Sequence, residues 1–567
     1  MKNEGINILI GGEAGQGLVT IGQILAKIFI RSGYSALATQ SYQSRIRGGH
    51  NSFSLRVSSK PIVAPAEKVN LLVALNTETI EIHQSELSSP CAIIADEAFQ
   101  FSQSHGSDCL IKVPFSKLAP KKQINISALG ILTAVLGIDR QIALEAIEDF
   151  FEKKDTELQK ANQAAFEKSL NWASMIPSEF GSFPRREGVE EKLMLNGNEA
   201  LALGAVASGL KFYSFYPMTP STGIGQTLAS ISSRLGIVVE QGEDEIAVIN
   251  MAIGASFAGA PAMVGTSGGG FALMVEGVSL AGMTETPIVV VIGQRPAPAT
   301  GLPTRTEQAD MEFVLHAGHG EFPRAIFAPG TVEDCFHFAG RALHLAEKYQ
   351  IPVFILTDQY LADSACAVRP FDLERVAPVV PGAEPASVHK PYLRYALTDT
   401  GVSPRLLPGL TENLVVADSD EHTEDGHLTE DLSVRKLMVE KRLRKLKGLR
   451  QEVVAPEFIG DIEPEILLVC WGSTKGSALE ACEDLRANGK KSAVLHFSQL
   501  WPLVPEQFIK IFEKAKEKIC IESNAFGQLA RLIRGETGFE IKKQIHRYDG
   551  LPITPEFILR ELRKIVL

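Results

Sequence analysis

Ile288-Val289-Val290-Val291-Ile292 is an unbroken apolar run of strand length, bounded by Thr286-Pro287 before it and Gly293-Gln294-Arg295 after it. A run so short and so rich in β-branched residues is suited to a strand covered on both faces, the central position of a sheet flanked by helices. It is the strongest buried strand of a segment, Leu193 to Ala367, in which strand and helix patterns alternate. The same alternation opens the chain. Ile6 to Ile10 reads as a strand, followed by Gly11-Gly12-Glu13-Ala14-Gly15-Gln16-Gly17 and an amphipathic helix through about Arg31. Ser52 to Val57, Leu71 to Leu75 and Ala92 to Ala95 are further strands, and together they predict a mostly parallel α/β sheet. A third such segment starts at Ile466 to Cys470.

The length of 567 residues predicts about three or four domains of roughly 150 residues. The boundaries expected are 1–180, 192–367, an extended connector at 368–460, and 461–567. The polar stretch from Asn171 to Glu191, with Pro177, Pro184 and Gly188, reads as a linker. Between Arg435 and Arg450 the connector turns basic, which predicts one exposed charged helix. Asp418 to His427 reads as an acidic solvated loop, its spacing matching no tight metal site.

A net charge of -11 argues against nucleic acid as the main ligand. No apolar run approaches the roughly 18 residues of a membrane helix, and the N-terminus lacks a signal-peptide pattern, so a cytoplasmic protein is expected. The seven cysteines include no C-x-x-C pair. A disulfide scaffold or a cysteine-ligated metal cluster is therefore not expected in this chain.

Five patterns bear polar groups where chemistry is done. Gly12, Gly15 and Gly17 lie between a strand and a helix, so they serve either close approach to a phosphate or a tight turn without ligand. Arg45, Arg47, Gly48 and Gly49 suit anion recognition, a subunit contact, or a solvated basic loop. Phe215-Tyr216-Pro217-Met218-Thr219-Pro220-Ser221 is a loop stiffened by two prolines. Glu243, Asp244 and Glu245 precede a helix, where acids ordinarily serve the backbone dipole, and spacing does not choose among them. Arg295 ends the buried strand, at the rim where α/β sheets place ligands, and it is suited to a carboxylate or an ordinary salt bridge.

In this order the patterns resemble the 2-oxoacid:ferredoxin oxidoreductases, specifically a fused γ–α subunit of the 2-oxoglutarate type. Tyr216 to Ser221 is similar to that family's Tyr-Pro-Ile-Thr-Pro-Ser signature, with Met218 for isoleucine. The family's cofactor-activating glutamate stands nine residues before a Gly-Ala pair, here Gly254-Ala255, which selects Glu245. The resemblance implies a γ-type α/β domain, a pyrimidine-binding thiamine-diphosphate domain and a transketolase C-terminal-like domain.

It also implies roles. Glu245 and Thr219 are the catalytic candidates, and Tyr216, Pro217, Ser221 and Glu245 would hold thiamine diphosphate. Arg295, Thr300 and Thr304 would bind the substrate. Gly12, Gly15, Gly17, Arg45, Arg47, Gly48 and Gly49 would contact coenzyme A or a subunit. The chain has no Gly-Asp-Gly followed by paired asparagines, so Mg2+, the cofactor diphosphate and a [4Fe–4S] cluster are expected on a β subunit. The expected assembly is an αβ heterodimer or (αβ)2 with ferredoxin as electron acceptor. Alternatives are a pyruvate, branched-chain or indolepyruvate enzyme of the same superfamily, a non-catalytic scaffold, or a nucleotide-binding module.

Overall fold

The computed structural model describes residues 5–43, 49–100, 109–176 and 182–565. They divide into two compact units. One comprises residues 1–195, 364–371 and 554–556, and the other residues 196–363, 372–553 and 557–567.

The first unit is built on an eight-stranded sheet. Gly5–Glu13, Val69–Ala74, Leu87–Asp96 and Cys109–Val113 run parallel, in that spatial order from the centre to one edge. On its other side Gly5–Glu13 pairs antiparallel with His50–Ser58, which pairs antiparallel with Ser35–Ser41. Half of this sheet therefore departs from the mostly parallel arrangement expected. The reason is connection length: eight residues separate Ser35–Ser41 from His50–Ser58 in the sequence, too few for the crossover that parallel neighbours need. Ala365–Val368 also belongs here, antiparallel to Ser35–Ser41.

The helix Leu18–Arg31 buries Ile21, Ile24, Leu25, Ile28 and Phe29 against this sheet. The stretch read as a linker does not run free. The helix Thr156–Ala173 occupies its start, and Phe183 inserts into the core with its ring 5.5 Å from Phe29. Tyr34 donates to the carbonyl of Pro184, and Arg186 donates to the carbonyls of Gly33 and Ser59.

The second unit holds two sheets that share one core, in which Val290 and Ile292 of one sheet and Val469 and Trp471 of the other are members. The larger has seven strands. Val238–Gln241, Phe212–Phe215, Ala262–Thr266, Ile288–Gln294, Pro352–Asp358 and Ala325–Phe327 are parallel, and Gln499–Trp501 adds antiparallel at one edge. Every residue of Ile288–Gln294 is buried. The smaller sheet has five strands around Ile466–Trp471.

The basic helix expected in the connector is Leu432–Gln451, but it is not an exposed face. Met438, Lys441, Arg442, Lys445 and Leu449 are buried along one side. Lys441 Nζ lies 2.6 Å and Lys445 Nζ 2.5 Å from the carboxylate of Glu285, all three side chains being 0–1% exposed. Arg394 donates to the carbonyl of Glu285 and to Oε1 of Gln350. Nor is Asp418–His427 simply a solvated loop. Glu421 pairs with Arg435 and Arg442, and His422 is fully buried with its ring centroid 4.0 Å from that of Tyr395. The charges read as solvent-facing are used to hold the connector onto the larger sheet, because burying a lysine requires a carboxylate beside it.

Candidate active site

Three neighbouring parallel strands end side by side, with Phe215 opposite Gly265 and Thr266 opposite Ile292. The loops leaving them carry Tyr216 to Ser221, Ser267 to Gly270, and Arg295. The carboxyl ends of adjacent parallel strands form the crevice in which α/β sheets bind ligands.

Glu245 is the first residue of the helix Glu245–Phe257, capped by Asp244, whose side chain accepts from the amide of Ala247 at 2.8 Å. The cap leaves Glu245, 3% exposed, pointing inward with Oε1 buried and without a hydrogen-bond partner among the described residues. Burial pushes its carboxyl above the usual range, its own amide opposing and the Asp244 charge adding to the rise. This is the environment that suits a carboxyl to sharing a proton.

The room for that carboxyl is made by Gly270. A Cβ there would meet Glu245 Oε1 and Thr266 Oγ1 at 2.2 Å each. Two residues earlier, a Cβ at Gly268 would meet the carboxyl oxygens of Asp310 at 2.4 and 2.6 Å. The first turn of the helix Gly268–Met283 therefore passes between two buried acids. Ser267 Oγ and Asp310 Oδ2 are also buried without partners. Unsatisfied polar atoms are rare in native interiors, and this concentration marks a place completed by something bound. A thiamine-type aminopyrimidine fits the donor set, since a ring nitrogen facing Glu245 would satisfy its orphaned oxygen.

Arg295 is 8% exposed and donates through Nη1 to the carbonyl of Thr219 at 2.8 Å. Its remaining N–H groups make no hydrogen bond among the described residues, so part of the fork is open to a carboxylate. Burial lowers its pKa, and the Asp310 charge opposes that. Thr219 is held by its loop. Asn198 donates to the carbonyl of Pro220, and Pro220 packs against Gly293, where a Cβ would come within 2.8 Å of its ring. Ser221 spends its hydroxyl on the carbonyl of Met218. Tyr216 and Pro217 face solvent in this chain, Thr300 is exposed and Thr304 is buried.

Sequence reading passed over Glu307 and Asp310. Burial pushes Asp310 up to about 6, Arg295 holding it back. Glu307 is pushed up to about 7 by burial and by the charge of Asp310. The signal was the triplet Gly268-Gly269-Gly270, poor helix formers opening a helix, which signals close approach by other groups.

In the first unit Gly15 and Gly17 line a cavity of 240 Å3 together with Gln40, Tyr42 and Asn51. Gly12 is in the strand beside it, where a Cβ would meet Gln16 Oε1 at 2.3 Å. Gly49 has a left-handed φ of 83°, whereas Arg45, Arg47 and Gly48 lie outside the described residues. Among those residues no group of three or more His, Cys, Asp or Glu is arranged to hold a metal, and no helix is long and apolar enough to cross a membrane.

Comparison with known proteins places this geometry in a family context. Residues 203–441 match the family model for "Pyruvate flavodoxin/ferredoxin oxidoreductase, thiamine diP-bdg", and residues 7–172 match "Pyruvate ferredoxin/flavodoxin oxidoreductase". The chain is 30% identical to the 2-oxoacid:ferredoxin oxidoreductase subunit alpha of Saccharolobus solfataricus, across 99% of this chain and 98% of the relative. It is 28% identical to the 2-oxoglutarate oxidoreductase subunit KorA of Mycobacterium tuberculosis, across 99% and 91%. Among solved structures it is similar to a chain of 2-oxoglutarate:ferredoxin oxidoreductase from Magnetococcus marinus, solved with 2-oxoglutarate, coenzyme A and succinyl-CoA bound. The TM-score is 0.93 at 30% identity, covering 99% of this chain and 100% of that one.

Proposed function

The chain belongs to the 2-oxoacid:ferredoxin oxidoreductase α subunits, and on that footing we propose that it is the catalytic partner in oxidative decarboxylation of a 2-oxoacid, 2-oxoglutarate first among them, to acyl-CoA and carbon dioxide. The single observation that carries this reading is Glu245 Oε1, a buried carboxyl oxygen with no partner in a space kept open by Gly270.

Thiamine diphosphate, when bound, supplies a carbon that stabilises the negative charge left after decarboxylation. This chain's residues do the rest of what is asked on their side. Glu245 would hold a bound aminopyrimidine through Oε1 and could share a proton there, its raised pKa matching that task. Tyr216, Pro217 and Ser221 shape the loop that faces the cofactor. Arg295 holds the substrate carboxylate through the part of its fork not engaged by Thr219. The hydroxyls of Thr219, Thr304 and Thr300 orient the rest of the substrate.

A β subunit supplies the diphosphate and Mg2+ site and the [4Fe–4S] cluster through which electrons reach ferredoxin, in an αβ or (αβ)2 assembly in the cytoplasm. Coenzyme A is taken by the first unit, with Gly15 and Gly17 lining the cavity described above, Gly12 in the strand beside it, and Arg45, Arg47, Gly48 and Gly49 as anion-binding candidates.

The test is co-expression with a β subunit under anaerobic conditions and measurement of coenzyme-A-dependent viologen reduction across a panel of 2-oxoacids. A strong rate with 2-oxoglutarate supports the full reading, and preference for another 2-oxoacid keeps the mechanism while changing the substrate. Near-normal turnover by Glu245→Gln in an intact complex would overturn the catalytic assignment.

A further inference from the structure

Arg295 carries its charge into a nearly closed site yet forms no ion pair within 4 Å among the described residues. Its one bond there is to a neutral carbonyl, that of Thr219. The acid whose field reaches it is Asp310. Asp310 is locked to the strand that delivers Arg295, because its amide donates to Gln294 Oε1 at 3.0 Å while Gln294 Nε2 donates to the carbonyl of Thr357. Its carboxyl is 8% exposed as a residue, lies over Gly268, and has Oδ2 buried and unpartnered.

Among the described residues, Arg295 is the cation whose charge bears on Asp310. Glu307, on the same segment, is an acid on which the Asp310 charge bears. The helix Gly268–Met283 presents glycine at the contact. On the side of the smaller sheet, Gln308 and Gln528 are neutral amides bonded to backbone, and Glu312 is paired with Arg531 at 3.2 Å.

We propose that Asp310 is the resident counter-charge of Arg295, acting from beyond 4 Å, and that a 2-oxoacid carboxylate takes over that role on the open part of the fork while the Asp310 carboxyl takes up one proton from solvent. This rests on Arg295 as the carboxylate holder, the reading given under Proposed function. Two carboxylates sharing one guanidinium in a dry site cannot both stay ionised at little cost. Asp310 is the one that yields because its position is fixed and its orphaned oxygen has no donor, whereas the substrate carboxylate keeps the open part of the Arg295 fork. Glu307 is pushed up to about 7 by burial and by the Asp310 charge, so its titration is separated from that of Asp310 by Glu307→Gln. Asp310 is thus a positioning residue that acts through Arg295.

The sign follows from the direction of proton uptake. Binding that takes up a proton weakens as pH rises above the pKa of the free site, by up to about tenfold per pH unit. In the assembled complex with its β subunit, the KM for 2-oxoglutarate is expected to climb about tenfold between pH 6.5 and 8.5. Asp310→Asn should flatten that climb, and Glu307→Gln should retain it. Independently of turnover, calorimetric titration of 2-oxoglutarate into complex prepared without thiamine diphosphate, in two buffers of different ionisation enthalpy, should show proton uptake lost in Asp310→Asn. Asp310→Ser serves if the asparagine variant does not assemble. A pH slope and proton uptake that survive both Asp310 substitutions, or that vanish in Glu307→Gln instead, would overturn the proposal. An Arg295→Met complex with unchanged KM would instead sink the underlying assignment of Arg295.

Discussion

A Cβ at Gly270 would stand 2.2 Å from Oε1 of Glu245, inside the contact distance of any real pair of atoms. The glycine is there for space, since it lies in the first turn of a helix that any residue but proline would form more readily. Gly270→Ala should therefore fold but push the Glu245 carboxyl aside. A misplaced catalytic group costs on the order of 100-fold in rate. Steady-state kinetics of the αβ complex checks this, and an alanine variant with ordinary kcat would show that the carboxyl needs no such room.

Glu245 is expected to cost the chain stability. An acid whose folded pKa lies above its unfolded value penalises folding fully above the folded pKa and not at all below the unfolded one. The Glu245 carboxyl is shifted in that direction by burial. Glu245→Gln should thus raise the Tm of the isolated chain at pH 7 while abolishing turnover in the complex. The gain should shrink as pH falls toward the ordinary carboxylate range, which thermal melts at pH 4.5 and 7 would reveal.

Arg295 donates to Thr219 and keeps the rest of its fork free. Lysine would retain the charge but not two directed bonds. Arg295→Lys should raise the KM for the 2-oxoacid by about 10- to 100-fold, the equivalent of one charge-assisted hydrogen bond of about 1.5–3 kcal/mol. The effect should fall on KM more than on kcat, and a change confined to kcat would contradict the assignment.

Glu285 answers two buried lysines and sits at a left-handed φ of 48°. The lysine charges hold its carboxyl far below the usual range, while burial lowers Lys445 to about 7. Glu285→Gln leaves two ammonium groups without a counter-ion and should destabilise the second unit by about 3–5 kcal/mol. Lys445→Met should cost much less, because Lys441 keeps the carboxylate paired and methionine fills the volume. Denaturant unfolding of the two variants ranks them, and equal losses would show that the pair of lysines acts as one.

The catalytic candidates were legible in sequence wherever a local rule applied. An acidic run before an apolar helix narrowed the choice to Glu243, Asp244 and Glu245, the family resemblance selected Glu245, and Arg295 follows from the end of an unbroken apolar strand. Pro217-Met218-Thr219-Pro220-Ser221 is a loop by its two prolines alone. Local rules did not reach Glu307 and Asp310, whose importance depends on burial, nor did they reveal that Phe183 plugs the first core from within a polar stretch.

By itself the sequence determined the alternation of strand and helix and the loops on which the reactive groups sit, because periodicity, turn residues and caps act over a few neighbouring positions. Only the tertiary structure decided which charges are buried and what they answer. Lys441 and Glu285 are 156 residues apart in the chain, and a lysine in an exposed helix is spelled no differently from one facing a carboxylate. The same holds for Asp310 against Gly268 and for Glu245 beside Gly270. Their shifted protonation comes from the removal of water, a property of the packed site that no single stretch of chain contains.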